Sequence, residues 1–163
     1  MSFRLTEEQY RALAGGKHAA SSKPTKGVAT DSYSSNKKGW RDFSGDRRYY
    51  LRSLWEINYA HFLEWLYLNN SIQYWEYETE VFTFPKEPYK TGPFSYKPDF
   101  KVTSLDGSVE WHEVKGWLNN SSKKKIARFR KHFPEEKLII IDKTIYYRDI
   151  HPKKRFIPHW EYL

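Results

Sequence analysis

The chain has 163 residues, enough for one domain with a substantial core, and 18% of them are aromatic. There is no cysteine, which excludes disulfides and thiolate metal centres, so any bound metal would be a hard ion held by carboxylates, carbonyls or histidines. No apolar run approaches a membrane span and residues 1–8 carry no signal region, so a soluble, cytoplasmic protein with no membrane partner is expected.

The net charge of +8 is unevenly spread: +5 over residues 1–48, −4 over 49–119 and +7 over 120–163. An acidic centre between basic flanks fits carboxylates gathered for cations beside lysines and arginines that meet phosphates. Ordinary solvated charge fits the same pattern equally well.

Residues 3–14 suit a short helix capped by Thr6 and ended by Gly15 and Gly16. Residues 17–40, rich in Lys, Ser, Thr and Gly, read as a basic arm or linker, so residues 1–48 form an N-terminal arm. The first strong element is a helix over residues 49–68, where Leu51, Leu54, Trp55, Asn58, Phe62, Trp65 and Leu66 recur at helical steps. Asn69 and Asn70 end it. Glu56 sits beside that stripe, where a carboxylate costs free energy unless paired. Arg52, one turn earlier, is the structural candidate for that pairing.

Residues 73–84 read as a long strand with Glu76, Glu78 and Glu80 on one face. Prolines then mark a loop over residues 86–94. Two further strands follow at 95–104 and 108–115, separated by the turn sequence Leu105-Asp106-Gly107. Residues 121–133 form a basic amphipathic helix capped by Ser121 or Ser122, with Ile126, Phe129, Arg130 and Phe133 on one side. Residues 137–142 read as a strand buried on both faces. Residues 144–163 form an aromatic, basic segment packed on the core around Trp160, with a short strand at 145–147. The order of elements implies an α/β fold in which a mixed β-sheet of about four to five strands is flanked by helices.

Tyr96-Lys97-Pro98-Asp99-Phe100 and, 14 residues after Asp99, Glu113-Val114-Lys115-Gly116 carry the chemistry. Converging carboxylates bind a divalent ion that can polarise a phosphoryl oxygen and lower the pKa of a bound water. A neighbouring lysine adds positive charge where negative charge develops. Glu113 and Lys115 share a strand face, and the turn decides whether Asp99 joins them. A two-residue Asp106-Gly107 turn would pair Asp99 with Val114, on the wrong face. A three-residue loop over 105–107 would pair Ser104 with Ser108, Asp99 with Glu113 and Lys97 with Lys115, with Gly107 left-handed. The three-residue loop is therefore expected. Glu-x-Lys alone is equally a surface ion pair; the Pro-Asp partner across a turn makes the pattern specific.

These motifs resemble the PD-(D/E)XK nuclease superfamily, and within it the phage endonuclease I-type junction resolvases and related small phage nucleases. The resemblance covers residues 52–142, including Arg52-Ser53-x-x-Glu56. It implies a restriction-endonuclease-like core over residues 49–143. It further implies Asp99 and Glu113 as metal ligands, the Val114 carbonyl completing the shell, Lys115 assisting the water or the scissile phosphate, and Glu56 as the helix-borne acid. Mg²⁺ would be the cofactor, with Mn²⁺ as a substitute. The expected activity is hydrolysis of DNA phosphodiester bonds, on branched or structured DNA as in Holliday junction resolution, with a homodimer suiting paired cuts. Nicking or end-processing of phage DNA is an alternative. A non-catalytic DNA-binding module on the same fold is another, of a different class.

Glu78 and Glu80 are weaker site candidates. His112 points to the other face and should pack. Lys97, Lys123, Lys124, Lys125, Arg128 and Arg130 are candidate phosphate contacts, which bind without reading sequence.

Overall fold

The computed structural model describes residues 37–86 and 94–162. The expected helix at 3–14, most of the basic arm and most of the proline-marked loop lie outside the described residues.

Residues 39–51, read from sequence as arm and helix start, instead form an antiparallel hairpin of β1 (Gly39–Phe43) and β2 (Arg47–Leu51). Its turn uses Gly45 (φ +68°) and Asp46 (φ +57°), residue types that tolerate left-handed backbone. Helix α1 (Leu54–Leu68) therefore starts later than expected, at the N-cap Ser53, whose hydroxyl accepts the Glu56 N–H at 3.2 Å. It ends as the asparagines predict, with Asn69 as cap and Asn70 left-handed at φ +54°. Residues 56–64 are all buried, so α1 is covered around most of its surface.

The expected long strand is broken. β3 (Tyr74–Tyr77) stops where Glu78 turns left-handed (φ +49°), and β4 (Phe82–Thr83) follows after a gap. The next expected strand is likewise split into β5 (Ser95–Tyr96) and β6 (Phe100–Thr103), separated by the segment that carries Pro98 and Asp99. β7 (Val109–Val114), α2 (Asn120–His132) and β8 (Lys137–Ile141) follow. Asn119, rather than a serine, caps α2 by accepting the Ser122 N–H at 2.8 Å. Ile126 and Phe129 are buried under α2, whereas Arg130 is exposed and leaves that face. β8 is half-covered at Ile139 and Ile140 rather than buried on both faces. Residues 143–145 form a short α3 (Lys143–Ile145) instead of a strand, capped by Asp142 and continued by a helical turn through Ile150.

The result is an α/β architecture built on a mixed four-stranded sheet in the order β3-β6-β7-β8. β6 is antiparallel to both β3 and β7, and β8 runs parallel to β7. α2 is the crossover that the parallel β7–β8 pair requires. One face of the sheet packs on α1 around Ile57, Leu63, Trp75, Phe100 and Val102. The C-terminal segment adds Ile150 and Ile157 to this core, with Trp160 packed against it. Asn58 clamps that segment by donating to the Glu161 carbonyl and accepting the Glu161 N–H, both at 2.9 Å. The other face packs on α2 through Trp111, Ile126, Phe129 and Leu138, with Phe82 and Tyr96 from β4–β5. No helix among the described residues is long and apolar enough to cross a membrane.

Candidate active site

The β6–β7 turn determines the site. Ser104 N–H donates to Ser108 O at 2.8 Å, Gly107 N–H to Ser104 O at 3.0 Å, and Gly107 is left-handed at φ +83°. This is the three-residue loop. Its register pairs Phe100 with His112, which places Asp99, just before β6, opposite Glu113.

A cleft of about 540 Å³ opens where the start of α1, the residues before β6, the end of β7 and the start of α2 meet. Glu56, Asp99, Glu113 and Lys115 all line it, as do Lys97 and Lys125. The three carboxylates are buried, at 7%, 3% and 5% exposure respectively. Such burial is uncommon for ionisable groups unless each has partners.

Each does. Asp99 accepts the Val114 N–H at 2.8 Å. Glu113 accepts the Tyr96 hydroxyl at 2.9 Å and pairs with the Lys115 ammonium at 3.0 Å. Glu56 accepts the Ser53 hydroxyl at 3.0 Å, the Tyr77 hydroxyl at 2.8 Å and the Arg52 N–H at 3.1 Å. Glu56 thus lies at the N-terminal end of α1, in a reciprocal capping arrangement with Ser53 that also suits the helix dipole. The purely structural alternative, an ion pair of Glu56 with the Arg52 guanidinium, does not form: that guanidinium pairs with Glu78, and Arg52 meets Glu56 only through its backbone N–H.

The electrostatics are those of a crowded acidic site. Burial, reinforced by the Glu113 charge, pushes Asp99 up to about 7. Burial alone would lower Lys115, but the charges of Asp99 and Glu113 outweigh it and hold the ammonium above its ordinary value. Burial, then Glu113, raises the Tyr96 hydroxyl, keeping it a proton donor.

Among the described residues, no three His, Asp or Glu side chains stand together as a ready-made metal cluster. The donors nonetheless fit a hard divalent ion. They are carboxylate oxygens, and two of them, Asp99 and Glu113, repel one another in a buried site where added positive charge is favourable. Lys115 already supplies part of that charge at Glu113.

The remaining expected site residues fall into two groups. Lys97 is exposed at the mouth of the cleft and pairs with Glu78 at 3.0 Å; Lys125 lines the α2 wall. Lys123, Lys124 and Arg130 are exposed on α2. Arg128 does not line the cleft; its guanidinium lies 5.0 Å from the Phe84 ring centroid and donates to the Pro85 carbonyl at 3.3 Å. Glu78 lines the cleft, whereas Glu80 is exposed outside it. His112 packs on the other face as expected, with Nδ1 2.7 Å from the Tyr59 hydroxyl and Nε2 3.2 Å from Glu110.

Sequence reasoning missed the hydroxyls. The sequence assigns no role to Tyr96 of the Tyr-x-Pro-Asp motif and does not single out Tyr77. The reach of Tyr96 to Glu113 depends on the break after β5, which alternation cannot reveal, whereas Tyr77 keeps the Trp75 face of β3 and reaches Glu56 because α1 packs on that face.

A family model described as "Protein of unknown function (DUF1064)" matches residues 56–149, from Glu56 on α1 to just beyond β8. No curated protein and no solved structure matches the chain. Since the matched stretch is more than half of the sequence and contains Glu56, Asp99, Glu113 and Lys115, the chain belongs to the DUF1064 family.

Proposed function

We propose that this protein is a metal-dependent endonuclease that hydrolyses DNA phosphodiester bonds on branched or structured DNA, with a PD-(D/E)XK, restriction-endonuclease-like core. The observation that carries the reading is the pairing of Asp99 with Glu113 across the odd-numbered loop, with Lys115 and Glu56 lining the same cleft. Acidic groups with no task are seldom buried together, because desolvation penalises every charge.

Asp99, Glu113 and the Val114 carbonyl would hold Mg²⁺ or Mn²⁺, with Glu56 as the further acid. When bound, the ion supplies Lewis-acid polarisation of a phosphoryl oxygen and a more acidic water. The chain's own residues do the rest. Lys115, paired with Glu113 and facing the charge of Asp99, would present positive charge where the scissile phosphate gains negative charge. Tyr96 and the Val114 N–H fix the two carboxylates, so little reorganisation remains at the moment of reaction. The Ser53, Tyr77 and Arg52 N–H contacts fix Glu56 in the same way. Exposed Lys123, Lys124 and Arg130, with Lys97 and Lys125 at the cleft, would meet the DNA backbone.

The test is cleavage of a substrate panel (four-way junction, flap, linear duplex, nicked plasmid, single strand and RNA) with Mg²⁺, with products mapped to the nucleotide. Wild type should cut DNA at branch points, and Lys115→Ala should bind the same DNA but cut about 10²–10⁴-fold more slowly. Paired, symmetric cuts by a protein that sizes as a homodimer would identify a junction resolvase; single nicks in plain duplex would favour the phage nicking or end-processing reading. No cleavage of any nucleic acid with Mg²⁺ or Mn²⁺, alongside retained binding, would leave the non-catalytic DNA-binding module.

A further inference from the structure

The loop from β7 to α2 carries an unusual residue. Trp117, two positions beyond Lys115, is 83% exposed, the highest value among the large hydrophobic side chains described. Every other tryptophan touches a ring: Trp40 meets Tyr50, Trp55 stacks on Tyr146 at 4.2 Å, and Trp65, Trp75, Trp111 and Trp160 have aromatic neighbours. Among the described residues no ring or cation stands against Trp117.

Its neighbours show why it cannot turn inward. Gly116 faces the Trp55 ring: a Cβ added there would lie 3.6 Å from the nearest ring carbon. On the far side, Leu118 packs against the core cluster under α2. Asn119 then caps α2, whose Ser122 and Lys125 line the cleft. The loop is thus pinned on both sides of Trp117, and the indole is presented to solvent beside the site.

Two residues of chain span at most about 7 Å, so the Trp117 backbone lies within about two base-stacking steps of Lys115. Inside a continuous duplex the bases are stacked on one another and offer no free face to an indole at the backbone. An unpaired or branch-point nucleotide does offer one, and stacking on aromatic side chains is how proteins hold such bases.

Resting on the nuclease reading above, we propose that Trp117 is a base-stacking platform that receives an unstacked nucleotide next to the scissile phosphate. The substrate class is then DNA with a displaced or unpaired base at the cut site, and continuous duplex is discriminated against at this residue.

The test uses the full chain in EDTA, so that no strand is cut, and one sequence presented as continuous duplex, flap and four-way junction. Trp117→Ala is compared with wild type and with Trp117→Phe, and thermal melting checks that all three are folded. Wild type should prefer the branched DNAs. Trp117→Ala should weaken them about 10- to 100-fold while changing duplex binding little, and Trp117→Phe should restore most of the loss. A 2-aminopurine at the branch point should be quenched by wild type and not by Trp117→Ala. Equal effects of Trp117→Ala on duplex and branched DNA, or no effect on either, would overturn the proposal while leaving the nuclease reading intact. Trp117-dependent branch binding by a protein that cuts nothing when Mg²⁺ is added would uphold the platform and sink the nuclease reading instead.

Discussion

At the scale of single residues, Asp99 is the most informative side chain. Its folded-state pKa, near 7, lies above the ordinary 3.8 because it is buried beside Glu113. A carboxyl raised in this way contributes stability that is full below pH 3.8 and is lost as pH rises through about 7. The metal-free protein should therefore be less stable at pH 8 than at pH 5 on this account. Asp99→Asn can still accept the Val114 N–H and carries no charge. It should raise stability at pH 8 in EDTA by at least about 1 kcal/mol, a melting shift of roughly 2–4 °C, with little gain at pH 4. Melting curves of the two proteins across pH check this; a lower or unchanged melting temperature for the variant at pH 8 would contradict it. The same titration predicts that Mn²⁺ binds more weakly as pH falls below 7, because Asp99 must lose its proton to become a ligand. Calorimetric titrations in buffers of different ionisation enthalpy would show proton release near neutral pH.

At the scale of elements, the β6–β7 hairpin controls the site. Side-chain direction in a strand has a period of two, so a one-residue change of register moves Asp99 to the opposite face from Glu113. Deleting Leu105 should leave an Asp106-Gly107 turn between Ser104 and Ser108, and so should keep the sheet, the Asp99–Glu113 pairing and metal binding, as read by circular dichroism and Mn²⁺ titration. Gly107→Val, by contrast, forces a β-branched residue into φ +83° and should cost about 1–3 kcal/mol in denaturant unfolding without moving the register.

This hairpin was the part of the fold most readable from residues alone, because loop length, strand period and a left-handed glycine all point to one pairing. Elements held by distant contacts were much less readable. Arg47 starts β2 because its guanidinium is buried against Glu64 at 2.6 Å and lies 4.7 Å from the Trp75 ring centroid; nothing local to residues 39–51 announces this. Glu78 ends β3 because its N–H donates to the Asp99 carbonyl and its carboxylate meets Arg52 and Lys97, in a backbone state that glutamate seldom adopts. The carboxylates and Lys115 could be chosen from the motifs, whereas Tyr96, which holds Glu113, becomes visible only once the break after β5 is known, and Tyr77, which holds Glu56, only once α1 is placed on its face of β3.

At the scale of the whole molecule, α2 carries a run of exposed cations among the described residues. Lys123 and Lys124 are exposed there, and each phosphate contact removed should flatten the slope of log K against log salt by about 0.9. Changing both to alanine should lower duplex affinity and reduce that slope by about 2, in fluorescence anisotropy across a salt series. Arg128→Ala should behave differently. With its guanidinium on Phe84 and Pro85, its loss should lower stability more than it changes the salt slope.

The whole account depends on the carboxylate pair acting as a hydrolytic metal site. The direct measurement is the single-turnover cleavage rate of a four-way DNA junction as Mg²⁺ is titrated, for wild type and for Glu113→Gln, with binding to the junction measured in parallel. Glu113→Gln keeps an acceptor for the Tyr96 hydroxyl and removes the charge. The expected result is Mg²⁺-dependent cutting by wild type, a loss of about 10³-fold in the variant and unchanged junction affinity. Equal cleavage by both proteins, or cleavage that persists in EDTA, would contradict a metal site at Asp99 and Glu113.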